Sequence, residues 1–317
     1  MDDWIARNGH KVVPRDRLRE LSVRSDLKGW GQTISHVGAI GVTTTAIILV
    51  PPSLLAVLAP LLLIQGILIN CLYAGLHELS HWTVFKTKAL NDWVGGLFGL
   101  VTLNPFYTDR WSHFAHHRAT HDPLLDSELM GMKPYTTASY ALEFIGVSFW
   151  RRRVATVVRT AMGRGLERDY WLTPEQLRMV VWEARAHVGF WTLVAALSAL
   201  FHSWIAVLCW LGPLLATKAF HQLQNTGEHT GLAHDSNTFR NTRTLRGPPV
   251  MRWLVWNMSY HTAHHCFPGV PFHALPQLHR DIVAGLDHPV PTLGYIEAQR
   301  EIYASLSRSS RLARAAS

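Results

Sequence analysis

Charge is scarce in this chain, and its gaps are long. Only 16% of the 317 residues are Asp, Glu, Lys or Arg, against 48% hydrophobic, a low charge content for a soluble protein of this size. No charged residue occurs from Gly29 to His77 or from Ala186 to Thr217. Cysteine is scarcer still. Cys71, Cys209 and Cys266 are too few for a disulfide framework or a four-thiolate iron site. Cys71 and Cys209 read as small apolar residues, while Cys266, next to His265, reads more simply as an inert thiol than as a ligand. A flavin fingerprint and a haem motif are also lacking, so any redox chemistry draws its electrons from another protein. No cleavable secretory leader is legible, because the first apolar run starts after about 30 residues and is too long for one.

A helix crosses a bilayer with ~20 apolar residues, so the first uncharged stretch has room for two crossings and the second for two short ones. Pro51-Pro52 interrupts the first stretch and Phe201-His202-Ser203-Trp204 the second. The expected architecture is all-α, with four transmembrane helices in two hairpins, about 32–50 with 53–76 and 187–201 with 204–220. Hairpins return to the side they left. Arg7, Lys11, Arg15, Arg17, Arg19, Arg24 and Lys28 precede the first crossing, which assigns the shared face to the cytoplasm and the protein to the inner membrane. A single long helix through the second stretch would split the histidine motifs across the membrane. The expected organisation is therefore a basic segment 1–28, one domain 29–305, and a basic, disordered tail 306–317.

The net charge of +8 does not point to nucleic acid, since the basic residues flank apolar spans and do not interleave with stacking aromatics. Attraction to anionic lipid headgroups accounts for them more simply, including Arg151-Arg152-Arg153. The segment 91–107, apolar but short, reads as interfacial or re-entrant.

Histidine is what the chain has in excess: 19 residues, many clustered. His77 and His81 stand in HELSH, His113, His116 and His117 in HFAHH, and His261, His264 and His265 in HTAHH. Spacings of three and four put such imidazoles on one side of a helix. Helices are expected over Trp111–His121, stopped by Asp122-Pro123, and over Trp256–Cys266, stopped by Pro268-Gly269. Asn225 and His229 repeat the four-residue spacing, His229 as a further ligand and Asn225 as a weaker, water-mediated one. His121 pairs with His117 at ligand spacing but also precedes the stop, so ligation and simple hydrogen bonding weigh equally for it. His221 reads as a supporting residue. His10, His36, His187, His202, His234, His273, His279 and His288 have no partner at ligand spacing and read as ordinary histidines.

The nine imidazoles of His77, His81, His113, His116, His117, His229, His261, His264 and His265 exceed the four ligands of a zinc site and suit two metal ions of higher coordination number. Imidazole-rich ligation with open positions is compatible with non-haem iron, which binds O2. A site beside the bilayer makes a lipid-like substrate the natural one.

With these residues in view, Trp256–His279 (WNMSYHTAHHCFPGVPFHALPQLH) resembles the third histidine box of the membrane fatty acid desaturase family. His77–Asn91 resembles the first box, HFAHHRATHDP the second, and NTGEHTG the Asn-x-x-x-His element between boxes two and three. The resemblance runs from about residue 30 to residue 300. It implies four membrane helices, a cytoplasmic cap holding a diiron centre on the nine histidines with Asn225, and O2-dependent desaturation. It also implies an external donor such as ferredoxin or a cytochrome b5-like protein with its reductase. Ala263 stands where bacterial relatives often carry Glu. Two other readings compete: a diiron hydroxylase or ketolase of a hydrocarbon or carotenoid, and an intramembrane zinc protease using His77, Glu78 and His81. A metal transporter would need polar ligands near the bilayer midplane, where this chain is apolar.

Overall fold

Helices account for nearly all regular structure in the computed structural model, which describes residues 11–122, 124–128, 135–165 and 172–315, with side chains to residue 308. After a short α1 (Arg15–Leu21), α2 (Asp26–Leu49) and α3 (Leu55–Ser80) form an antiparallel pair around Pro51-Pro52. The Ser25 side chain caps α2 by accepting from the Lys28 N–H. At 24 and 26 residues they are about 36 and 39 Å long, and both are long and apolar enough to cross a membrane. Among the described residues no other helix meets that test.

The second expected hairpin differs from its sequence outline. Its first arm, α8 (Pro174–Leu200), begins twelve residues before the uncharged stretch because Thr173 and Gln176 form a reciprocal cap at its start. The chain turns at Phe201–Ser203, with His202 at φ +46°, so the reading of one uninterrupted helix is not realised. The return arm is broken: a π-helical segment Val207–Leu211 runs into α9 (Gly212–Ala216), and α10 (Lys218–His229) follows. Pro213 has no N–H to offer the Cys209 carbonyl four residues earlier. Gln65 on α3 supplies that donor, its Nε2 standing 2.8 Å from the Cys209 oxygen, and Asn70 Nδ2 donates to the Leu214 carbonyl at 2.8 Å. Such polar contacts hold apolar helices together where hydrocarbon offers no partner. Gly66 lets α3 lie directly on this kink, since a Cβ there would meet the Pro213 oxygen at 2.2 Å.

Between the long helices come α4 (Lys88–Thr102), α5 (Phe106–Arg118), α6 (Thr137–Phe144) and α7 (Val147–Ala161). On α7, Val147, Val154 and Val158 face outward with Arg151. Arg153 turns inward to Asp109, while Arg152, its side chain 40% exposed, reaches back to Glu143. After α10 the chain makes α11 (Thr238–Asn241), β1 (Thr244–Arg246), α12 (Pro249–Leu254), α13 (His261–Cys266), α14 (Leu275–Gly285), β2 (Thr292–Gly294) and α15 (Tyr295–Ala315). The strands pair in parallel, Thr244 opposite Thr292. Where a disordered tail is expected from residue 306, the backbone continues as helix to Ala315; its Leu, Ala and Arg residues favour that conformation.

Two apolar cores bracket the histidines. One gathers Leu76, Leu79, Phe85, Phe98, Phe106 and Trp256 against α3; the other packs Val13, Phe239, Ala263, Cys266, Leu275 and Leu278 beneath α13.

Candidate metal centre

Four elements deliver the nine imidazoles. His77 lies in the last turn of α3 and His81 is its C-terminal cap, the helix ending as Trp82 turns to φ +54°. α5 carries His113, His116 and His117. Its N-terminus is capped from α8, where the Glu183 carboxylate accepts the Tyr107 N–H at 2.9 Å and the Thr108 N–H at 3.2 Å. Its flank is fixed by Arg110, 1% exposed, whose guanidinium donates to Asp92 at 2.6 Å and lies between the rings of Trp82 and Phe106, 4.2 and 4.3 Å from their centres. His229 ends α10, and α13 is the third motif itself.

Two helix expectations need correction here. α5 stops at Arg118, three residues short of His121, which takes φ +62°; Pro123 of the expected stop lies outside the described residues. The expected helix over 256–266 forms only from His261, because Trp256 and Asn257 adopt left-handed conformations at φ +49° and +57°.

The imidazoles converge on two points. Ligand nitrogens of His77, His81, His113, His117 and His264 all lie within 4.8 Å of one another, and so do those of His116, His229 and His265. His261 joins the second group, its Nε2 standing 2.8 Å from that of His229. In the first group His264 Nε2 faces His77 Nε2 at 3.0 Å and His117 Nε2 at 3.2 Å. In the second, His229 Nε2 faces His116, His265 and His261 at 3.3, 3.2 and 2.8 Å. One nitrogen carries at most one proton, so hydrogen bonding cannot satisfy three such contacts at once. Two imidazoles bound to one ion at ~2.1 Å and at right angles stand about 3 Å apart, which matches these separations. The residues present therefore fit two metal ions.

Two of the outward-facing nitrogens are firmly anchored. His116 Nδ1 donates to Asp126, itself fully buried, at 2.9 Å, and His229 Nδ1 donates to the Asn241 carbonyl at 2.8 Å. Such partners select the tautomer that leaves Nε2 with its lone pair turned inward. Burial pushes His81, His113, His117, His229, His261, His264 and His265 below the usual histidine range. Neutral imidazole is the form that ligates.

Other histidines stand apart. His121 donates from Nδ1 to the Ala233 carbonyl at 2.7 Å, and it enters neither group. Asn225 donates to Gln222 at 3.3 Å and lies on the wall of a narrow slot with His77, His221, Tyr73, Phe220 and Met258. His221 stands 3.1 Å from Lys218 Nζ. His36 bonds the Leu68 carbonyl and the Trp256 indole, as an ordinary buried histidine does, and His10 lies outside the described residues. A larger cavity of about 830 Å³ reaches His117 and His265 from another side, walled by Leu18, Leu125, Phe267 and Val270. Asp126 and Asn241 carry no spacing signal that could have announced them.

The model of the family described as fatty acid desaturase matches residues 52–295, more than half of the chain. This chain belongs to the fatty acid desaturase family. It is 24% identical over 227 residues to a protein named fatty acid desaturase in Bacillus subtilis (strain 168), a stretch covering 64% of this chain and 62% of that protein. The chain thus spans less than two thirds of that relative's length. It is also 40% identical over 58 residues to the sn-1 acyl-lipid omega-3 desaturase (ferredoxin) of Synechocystis sp. (strain ATCC 27184 / PCC 6803 / Kazusa), covering 18% of this chain and 16% of that protein.

Proposed function

We propose that this desaturase-family protein is an integral-membrane oxidoreductase that uses O2 to introduce a C=C bond into a fatty acyl chain or a related lipid-like metabolite. The observation that carries the reading is the convergence of nine imidazoles on two points. His77, His81, His113, His117 and His264 would hold one iron, and His116, His229, His261 and His265 the other, with Asn225 as a water-mediated contact. Iron held there would supply the oxidising chemistry: O2 would go to two waters with two electrons and two protons from outside and two hydrogens from adjacent carbons of the substrate.

The chain's own residues supply placement. Cys71, Tyr73, Phe220, Met251, Val255 and Met258 form the apolar wall of the narrow slot that His77 lines, and His221, Gln224, Asn225 and Glu228 its polar side; the apolar wall would face substrate hydrocarbon once the slot widened around it. Four crossings in two hairpins would keep the cap on the cytoplasmic face of the inner membrane, with the uncharged part of α8 and the kinked return arm as the second pair. The donor would be a ferredoxin or a cytochrome b5-like protein with its reductase; the Synechocystis relative's name supports the first. Expression with a donor system, followed by mass analysis of lipids and metabolites, tests this. The expected product has lost two hydrogens, and His264→Ala abolishes it. A product gaining one oxygen would replace desaturation by hydroxylation, and one zinc per chain would favour a hydrolase.

A further inference from the structure

Two buried carboxylates stand behind the third motif without being part of either imidazole group. Glu78, inside HELSH, is 1% exposed, and its Oε1 lies 3.6 Å from His264 Nδ1. Neither of these two buried atoms has a hydrogen-bond partner. Its other oxygen is held fast, accepting the Thr83 hydroxyl at 3.0 Å and the Phe272 N–H at 3.1 Å. Glu228, inside NTGEH, repeats the arrangement. Its Oε1 lies 3.4 Å from His261 Nδ1, another buried atom without a partner. Unlike Glu78, it is tethered through that same oxygen, which accepts Gln224 Nε2 at 2.6 Å, and Gln224 is in turn held by the Tyr295 hydroxyl at 2.7 Å.

We propose that Glu78 and Glu228 are positioning residues that divide the two ions between them, Glu78 orienting His264 for one and Glu228 orienting His261 for the other. The proposal rests on the two-iron reading of the site. A closure of a few tenths of an ångström turns each contact into a hydrogen bond from Nδ1 to the carboxyl oxygen that fixes the proton on Nδ1 and aims Nε2 at the metal. Each acidic residue neighbours a ligand histidine in its own motif, yet reaches across to an imidazole of the third. This placement also separates Glu78 from the base of a zinc hydrolase. Its free oxygen faces Nδ1 of His264, on the side of the ring away from the converging Nε2 atoms.

The test uses the full chain loaded with iron-57 in detergent, comparing wild type, Glu78→Gln and Glu228→Gln by Mössbauer spectroscopy and by iron retention against a chelator. Each variant is expected to alter the signal of a different iron and to weaken retention of that iron about 10- to 100-fold. Thr83→Val and Gln224→Leu, which loosen the carboxylates without removing them, are expected to disturb the same two signals more weakly, and they decide the matter if either Gln variant fails to fold. Unchanged spectra and retention, or the same iron affected by both carboxylates, would overturn the proposal alone. A wild-type chain holding no iron pair would overturn both it and the two-iron reading.

Discussion

Replacing Arg110 by methionine tests how the second motif is fastened to the first. The guanidinium donates to Asp92 at 2.6 Å and to the Leu79 carbonyl at 3.3 Å, between two aromatic rings. Removing one partner of a fully buried ion pair costs ~3–5 kcal/mol. Asp92 is 30% exposed and keeps the Trp82 indole N–H at 2.9 Å, which brings the ion-pair part down to ~2 kcal/mol. The lost cation–π contacts add about 1 kcal/mol. A total near 3 kcal/mol corresponds to a fall in Tm of about 6 °C, at roughly 2 °C per kcal/mol for a chain of this size. Thermal unfolding of the detergent-solubilised protein reads it, and iron retention should fall in parallel because α5 carries His113, His116 and His117. Asp92→Asn in the Arg110→Met background should restore about 1 kcal/mol or more, as coupled neighbours do. A Tm within about 1 °C of wild type, or strict additivity of the two substitutions, would refute this account of Arg110.

Glycines on the two long helices should respond with opposite signs. Gly66→Ala drives a Cβ into the Pro213 carbonyl and should destabilise by about 1–3 kcal/mol, whereas Gly38→Ala, with nothing within 4 Å, should gain up to ~1 kcal/mol from helix propensity; equal Tm shifts would contradict the packing. Gln65→Leu leaves the Cys209 carbonyl behind Pro213 without its donor and should cost about 1–2 kcal/mol, read as a lower Tm in detergent. Asp126→Ala removes the acceptor of both His116 Nδ1 and the His121 N–H and should weaken iron retention about 10- to 100-fold, with a chelator titration as the readout.

The histidine motifs were legible because ligand chemistry needs repeated imidazoles at helical spacing, and such repeats are rare by accident. Their assignment to ions was not legible. His116 and His117 are neighbours in sequence yet join different groups, because consecutive residues on a helix point about 100° apart. The first hairpin could be read from Pro51-Pro52 and the absence of charge. The second could be read only in part: α8 starts among charged residues whose partners lie elsewhere, such as Glu183 at the end of α5, and the π-helical turn before Pro213 depends on a donor from α3. Trp256 and Asn257 looked helical by pattern, but both take left-handed backbone, with the Trp256 ring packed against Phe98 and Phe272. Asp126, Asn241, Glu78 and Glu228 reach their histidines only through the fold.

Metal content of the purified full-length chain tests the central claim most directly. Two irons per chain, both lost when His229 and His264 are replaced together by alanine, is the predicted result. A single zinc, or imidazoles that retain no iron under reducing, iron-replete conditions, would contradict it.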